Sequence, residues 1–379
     1  MRQILASIAA LYLGVSLLQF GNAMLGTLLA VRMDLSGYSP AITGMIMSAY
    51  FVGFTAGSLK ATIVVERVGH IRAFAVFAAV LAVATLTHAL VVAAGLWLVA
   101  RMIGGFCVAG LLLVVESWLN ARATPSTRGK ILSAYHIAVY AAMAVGQTLL
   151  VLGDPMQSNL FVIAAMLMVL ALVPVSLTRS VSPPVPEPTA FGFRRLYRIS
   201  PLGVAGAISS GLISGAFYGL GPVFAQRVGM STSQIGLFMA VAIFGSLILQ
   251  WPLGMLSDRF DRRRVLIACC LLTASAALAV VFVGGRSPTL LFVLTAVFCG
   301  FAATIYPTSV AHANDFVEPA DMVGAASGML LGYSLGAMVG PLAASQMLAL
   351  AGPAGLFLFT AMVGAGLGLF GLWRMTRRA

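Results

Sequence analysis

Two charged residues, Arg101 and Glu116, interrupt the same apolar run between Leu96 and Trp118. A charge in such a run has no bulk water to solvate it, so it must face a protein interior or a wet cavity and find partners there. Arg101 presents a planar set of donors suited to a carboxylate or another anionic group, and no acid stands beside it in the sequence. It reads either as a substrate or coupling residue or as a structural arginine bonded to carbonyls and water. Glu116 sits toward the end of the run, in Val114-Val115-Glu116-Ser117-Trp118. Three readings stay open for it: a latch with loop arginines such as Arg72 or Arg128, a proton-coupling carboxylate, or a solvated helix end. The other nine acids fall in loops or at helix ends, so no carboxylate relay runs through the apolar stretches.

A third concentration of charge is the stretch from Gly254 through Asp258, Arg259, Asp261, Arg262 and Arg263. A turn this short leaves backbone groups unmet. Asp258 can meet a neighbouring helix N-terminus and the arginines can clamp carboxylates on an adjacent helix end, so the loop reads as a latch. A weaker copy occurs earlier as Glu66-Arg67-Val68-Gly69-His70, with Thr62 in the place of the leading glycine. Polar residues inside apolar runs supply candidate solute contacts: Gln19, Asn22, Tyr140, Gln147, Tyr218, Gln250, Trp251, Tyr306 and Tyr333. Each also reads as an interhelical hydrogen bond. His88 and His136 titrate near neutral pH unless packing holds them neutral. Gly328, Gly332, Gly336 and Gly340, followed by Pro341, read as a groove for a close helix approach or as a hinge. Cys107, Cys269, Cys270 and Cys299 have no partners at metal-ligand spacing and read as small core residues. No Walker loop, zinc motif or nucleophile elbow is present, so the sequence predicts no cofactor, no metal, no direct ATP hydrolysis and no enzyme.

Membrane-spanning helices must position these residues. Of the 379 residues 60% are hydrophobic and only 8% charged, too few to coat a water-soluble globule, for which about 25% is usual. In hydrocarbon, backbone groups must be satisfied within a helix or a closed barrel, and long apolar runs without period-two alternation select helices. At about 20 residues per crossing, the first six spans are Ile4 to Val31, Ala41 to Thr62, Ile71 to Ala94, Leu96 to Trp118, Ile131 to Leu152 and Asn159 to Thr178. The second six are Pro201 to Ala225, Ser233 to Leu256, Val265 to Gly284, Leu290 to Ala311, Val323 to Ala351 and Pro353 to Trp373. The fold class is therefore an all-α membrane protein with twelve transmembrane helices in two six-helix bundles, residues 1–178 and 201–379. The proline-rich and basic segment 179–200 reads as a cytoplasmic linker.

The formal charge of +12 follows topology and not nucleic acid, because the basic residues lie in short loops without a stripe interleaved with aromatics. Eighteen of the 22 lysines and arginines fall on the side that holds both termini, which predicts cytoplasmic termini and an even number of crossings of a bacterial inner membrane. One common offset carries Ser39, Gly44, Met47, Gly53, Arg67 and Arg72 onto Ser231, Gly236, Met239, Gly245, Arg259 and Arg264. Repeats offset by six spans share one orientation, which predicts a substrate site between the two halves.

The loop from Gly254 to Arg263 resembles the signature loop of the major facilitator superfamily, and Arg101-Met102-Ile103-Gly104-Gly105 resembles a second motif of that family. Val114 to Ser117, Arg128-Gly129-Lys130 with Ala134-Tyr135, Tyr218-Gly219-Leu220 and Gln250 to Gly254 together resemble its YcaD-type bacterial branch. The resemblance implies that spans one, four, seven and ten line the cavity, which moves Asn22, Arg101, Tyr218 and Tyr306 ahead of Gln19, Gln147 and Tyr333. It implies a secondary active transporter working by alternating access as a monomer, with a small-molecule substrate, the lipid bilayer and protons as partners. In that setting Glu66, Arg67, Glu116, Gly254, Asp258, Arg259 and Arg262 are the gating or latch residues, and Arg101 favours an anionic substrate. Multidrug or lipid export and a non-transporting receptor are the alternatives. The fifth span lacks the Gly-Pro ending of drug and proton antiporters, which counts against the first of these.

Overall fold

The computed structural model describes residues 2–124, 127–177, 193–283, 287–318 and 321–377. Those residues form α1 (Arg2–Leu35), α2 (Pro40–Val68), α3 (His70–Leu90), α4 (Ala94–Arg122), α5 (Arg128–Thr148), α6 (Asn159–Leu170) and α7 (Leu172–Ser176). They continue with α8 (Phe193–Ile199), α9 (Pro201–Arg227), α10 (Thr232–Arg259), α11 (Arg262–Val283), α12 (Pro288–Asn314), α13 (Met322–Ala351) and α14 (Ala354–Arg377). Twelve helices are long and apolar enough to cross a membrane, as the apolar runs predict. The sixth is α6 and α7 in series, broken at Ala171. Pro174 explains the break, since its ring clashes with the carbonyl four residues earlier and it has no N–H to return. Most of the proline-rich segment lies outside the described residues. Its last part forms α8, whose Leu196 is fully buried against Val204, Ala325 and Met329.

The chain divides into two compact units. One comprises Met1–Gly37, Ala49–Glu187 and Thr232–Ala240, the other Tyr38–Ser48, Pro188–Ser231 and Val241–Ala379. In the first, α1 packs on α5 and α6, and α3 on α4 and α6. In the second, α13 packs along α9, and α11 lies between α12 and α14. Lipid tails are as apolar as leucine, so helix association relies on close van der Waals fit rather than on expelling water. Glycine supplies the fit. A Cβ on Gly53 would strike the Met102 carbonyl and one on Gly105 the Tyr50 carbonyl, so α2 and α4 touch backbone to backbone. Gly245 meets Ala296 in the same way, joining α10 to α12 at the repeat-equivalent of Gly53. The repeat extends to the turns: Gly37 and Gly229, at matching places after α1 and α9, have φ of 76° and 90°, which favours glycine. In the second unit Phe217, Phe298 and Phe357 form a mutually edge-on cluster with ring centroids 5.3–6.3 Å apart.

Candidate functional site

Helices α1 to α4 bring Asn22, Tyr50, Thr85, His88 and Arg101 to one small cavity inside the first unit. The backbone contact at Gly105 sets the register of α2 against α4 and places the Arg101 guanidinium over the Tyr50 ring, 4.4 Å from its centroid. Asn22 lines the same cavity as Tyr50. Arg101 is 7% exposed, it makes no ion pair among the described residues, and its Nε has no hydrogen-bond partner. An arginine at mid-span costs about 3 kcal/mol to insert. A desolvated cation–π contact returns about 2 kcal/mol. The remainder is uncompensated, and the bare Nε stands among residues that line the cavity. At about 10 Å³ the cavity admits one water-sized group and no whole solute.

His88 completes this cluster. Its Nδ1 donates to the Ala84 carbonyl at 2.6 Å, so the other ring nitrogen, Nε2, is left buried and unpartnered. The ring stacks on Phe161 at 8° and leans on Trp97, whose indole N–H is fixed to the Val91 carbonyl at 2.8 Å. His88 is thus held rigidly beside Arg101, an acceptor next to a set of donors.

The other sequence candidates separate by what holds them. Gln19 is buried and accepts a long 3.5 Å bond from Asn22, so it adjoins the cluster. Gln147 is buried but both ends are committed, its Oε1 accepting from Thr27 at 2.6 Å and its Nε2 donating to Ala23 at 3.2 Å. It joins α5 to α1. Tyr306 and Tyr333 form an edge-on pair 5.1 Å apart in the second unit, and Tyr218 is half-buried there beside Phe217. Tyr140 and Gln250 are half-buried, while Trp251 is exposed.

At the ends of the helices the basic loop does clamp a neighbouring helix. Arg262 reaches Asp258 at 3.4 Å and Asp315, the C-cap of α12, at 3.5 Å. Asp258 meets this arginine rather than a helix N-terminus. Gly254 has open space around it, so close packing does not require a glycine there. Arg259, Glu66 and Arg67 are exposed, with no ion pair among the described residues. Glu116 does not pair with Arg72; it accepts a 3.3 Å bond from the Tyr135 hydroxyl, and the Arg128 side chain lies outside the described residues. His136 is exposed, with Nδ1 donating to the Leu132 carbonyl at 2.8 Å.

Asp261, between α10 and α11, accepts from Arg263 at Nη2 (3.0 Å), Nε (3.2 Å) and the backbone N–H (2.9 Å). The Arg263 side chain foremost holds this carboxyl below its ordinary range. A folded-state value below the unfolded one means stability that is present at neutral pH and lost as pH falls through the folded value. Acidification from neutrality to below about pH 4 should therefore lower the thermal unfolding midpoint more in the wild type than in Asp261→Asn. Half exposure limits the difference to less than about 1 kcal/mol. Equal acid sensitivity of the two proteins would remove Asp261 from the account.

Three residues that the sequence reading passed over have structural weight. Tyr50 is the partner of Arg101. Arg32, at the end of α1, is buried, donating to the Gln157 carbonyl at 3.1 Å and lying over the Phe161 ring at 5.2 Å. His70 is buried at the start of α3 with Nε2 2.8 Å from the Ser117 hydroxyl. The signal for Arg32 was the uninterrupted helical run through Leu35.

Among the described residues, twelve helices long and apolar enough to cross a membrane define a multi-pass membrane protein. Residues 11–231 and 202–379 match the Major Facilitator Superfamily, and the chain belongs to that superfamily. It is 30% identical over 340 residues to the uncharacterized MFS-type transporter YcaD of Salmonella enteritidis PT4, covering 88% of this chain and 87% of that one. An uncharacterized MFS-type transporter of Enterobacter sp. (strain 638) is 31% identical over 331 residues, covering 86% and 85%. Among solved structures, the nucleoside transporter NupG superposes with a TM-score of 0.77 at 15% identity over 99% of both chains. A D-xylose-proton symporter gives 0.73 at 15% identity over 97% of both. At such identity the likeness speaks for the fold alone.

Proposed function

We propose that this protein is a secondary active transporter that moves a small solute bearing an anionic group across a bacterial inner membrane by alternating access, as a monomer with both termini in the cytoplasm. One observation carries the reading: Arg101 is buried in the first unit without a carboxylate, with a bare donor, beside Asn22, Tyr50 and His88. A solute carboxylate or phosphate supplies the charge that the helix bundle withholds. The water-sized cavity admits one oxygen of such a group and leaves the rest of the solute to other surfaces. The cytoplasmic placement of the termini rests on the basic residues gathered on their side of the spans. Residues 1–178 and 201–379 act as the two moving bundles, with 179–200 as their linker. Asp258, Arg262 and Asp315 join helix ends by weak, exposed ion pairs, which suits a latch that forms and breaks in each cycle. Protons are the coupling ion that Glu116 favours, and one fold neighbour is named a proton symporter.

The test is flux into proteoliposomes. Small labelled carboxylates and phosphates are compared with neutral solutes of the same size, with and without an inward proton gradient. Saturable, gradient-driven uptake of an anion is expected. Binding without flux would make the protein a receptor, and uptake confined to neutral or cationic solutes would refute the anionic reading.

A further inference from the structure

A second cavity opens at the ends of α9, α11, α12 and α14, lined by Ser200, Leu202, Arg263, His312, Phe316 and Arg374. It lies within the second unit and shares no residue with the Arg101 cluster. Ser200 holds the N-cap position of the 27-residue helix α9, yet its side chain makes no capping bond. The first N–H groups of α9 are left without an intrahelical acceptor, and the positive end of the helix dipole adds to them. The Ser200 hydroxyl is the second sign. Its residue is 2% exposed, its Oγ has no hydrogen-bond partner, and it lines the cavity. A buried hydroxyl left bare in this way costs about 1–3 kcal/mol unless a ligand or water meets it.

The cavity lining carries Arg263, His312 and Arg374 and, among the described residues, no carboxylate. Arg263 is committed to Asp261, and Arg262 is shared between Asp258 and Asp315. Arg374 makes no ion pair among the described residues, and His312 adds a further donor when protonated. A basic residue, a bare hydroxyl and a helix N-terminus around one hollow form a site for a phosphate group. The volume, about 30 Å³, is enough for about two waters or for two oxygens of a phosphate whose remainder lies at the cavity mouth. The apolar remainder of the lining, Leu202 and Phe316 among it, suits a phosphate whose ester carries hydrocarbon. We propose that Ser200, Arg374 and the N-terminus of α9 bind a phosphate group, offered by an anionic phospholipid headgroup or by free phosphate. Pockets of this kind between transmembrane helix ends are where lipid headgroups bind.

Full-length protein in detergent is titrated separately with inorganic phosphate and with phosphatidylglycerol, against chloride and phosphatidylcholine as controls. Retention is read by native mass spectrometry and stabilisation by thermal unfolding. Arg374→Gln should weaken the response by about tenfold and Ser200→Ala by about three- to tenfold. Ser200→Ala removes one oxygen without disturbing the helix, so it reports on the site even if Arg374→Gln folds poorly. Arg377→Gln is the charge-matched control, because Arg377 lies over the Trp373 ring on the same helix. A response to phosphatidylglycerol alone assigns the site to lipid, and a response to inorganic phosphate alone assigns it to a soluble anion. If Arg374→Gln and Ser200→Ala leave both titrations unchanged, or Arg377→Gln weakens them equally, the site does not exist.

Discussion

Replacing Gly336 by alanine is expected to cost the protein its fold, whereas the same change one helical turn earlier, at Gly332, is expected to be harmless. A Cβ at Gly336 would strike the Ile208 carbonyl, and Gly340 stands in the same relation to the Leu212 carbonyl. The reciprocal positions on α9 are equally filled: Gly211 faces the Tyr333 carbonyl, and Gly215 faces that of Ala337 at 2.5 Å. All of these obstacles are backbone, so no rotamer change makes room and the two longest-packed helices of the second unit must separate. Overpacking a tight core typically costs about 1–3 kcal/mol. Forcing two backbones apart along their shared length lies at or above the top of that range. At Gly332 the nearest atoms are 3.5 Å or more away, an ordinary contact. Alanine also favours the helix by about 1 kcal/mol over glycine. Size-exclusion profiles and unfolding midpoints of the two variants decide the matter. Equal midpoints would show that the stripe is not a packing seam, and an intact fold with lost flux in Gly336→Ala would show that it is a hinge.

The contrast also marks what a sequence carries. The four glycines of α13 are identical on paper, and only the helix facing each one separates a seam residue from a spectator. The twelve spans were legible because hydrocarbon leaves a chain this apolar with few choices. The break at Ala171 was visible as Pro174, but hydropathy averages over a single proline in an apolar run. Arg101 announced itself as a lone charge between Leu96 and Trp118. Tyr50 did not, because its place over that charge depends on the register that Gly105 sets between α2 and α4, a relation between residues far apart in sequence. Gln147 shows the opposite error. A polar residue in an apolar run reads as a solute contact until Thr27 and the Ala23 carbonyl are seen to use both of its ends. Arg262 stood out in the sequence as part of a basic cluster, while its acceptor, Asp315, had no mark there beyond its position after α12.

Arg101→Ala should abolish transport of an anionic solute and leave the protein as stable as before, or more so. The two halves of this expectation have one cause. A buried charge that lacks a counter-charge burdens the folded state, so removing it relieves the helix bundle of about 3 kcal/mol of insertion cost while forfeiting about 2 kcal/mol of contact with Tyr50. In a loaded transporter the same guanidinium meets the solute anion in a dry setting, where truncating one partner costs about 2–5 kcal/mol, or at least about thirtyfold in apparent affinity. Arg101→Lys keeps the charge and loses the fork, so it should bind the solute weakly rather than not at all. Tyr50→Phe keeps the ring beneath the cation and should leave flux within a few fold, while Tyr50→Leu removes the aromatic face under the guanidinium and should lower both stability and flux. A purely structural arginine predicts the reverse order. Its removal would lower the unfolding midpoint and leave the apparent affinity of whatever protein survives unchanged. Measuring midpoint and flux on the same preparations of the four variants therefore separates the two roles, and unaltered transport by Arg101→Ala would take this residue out of the site.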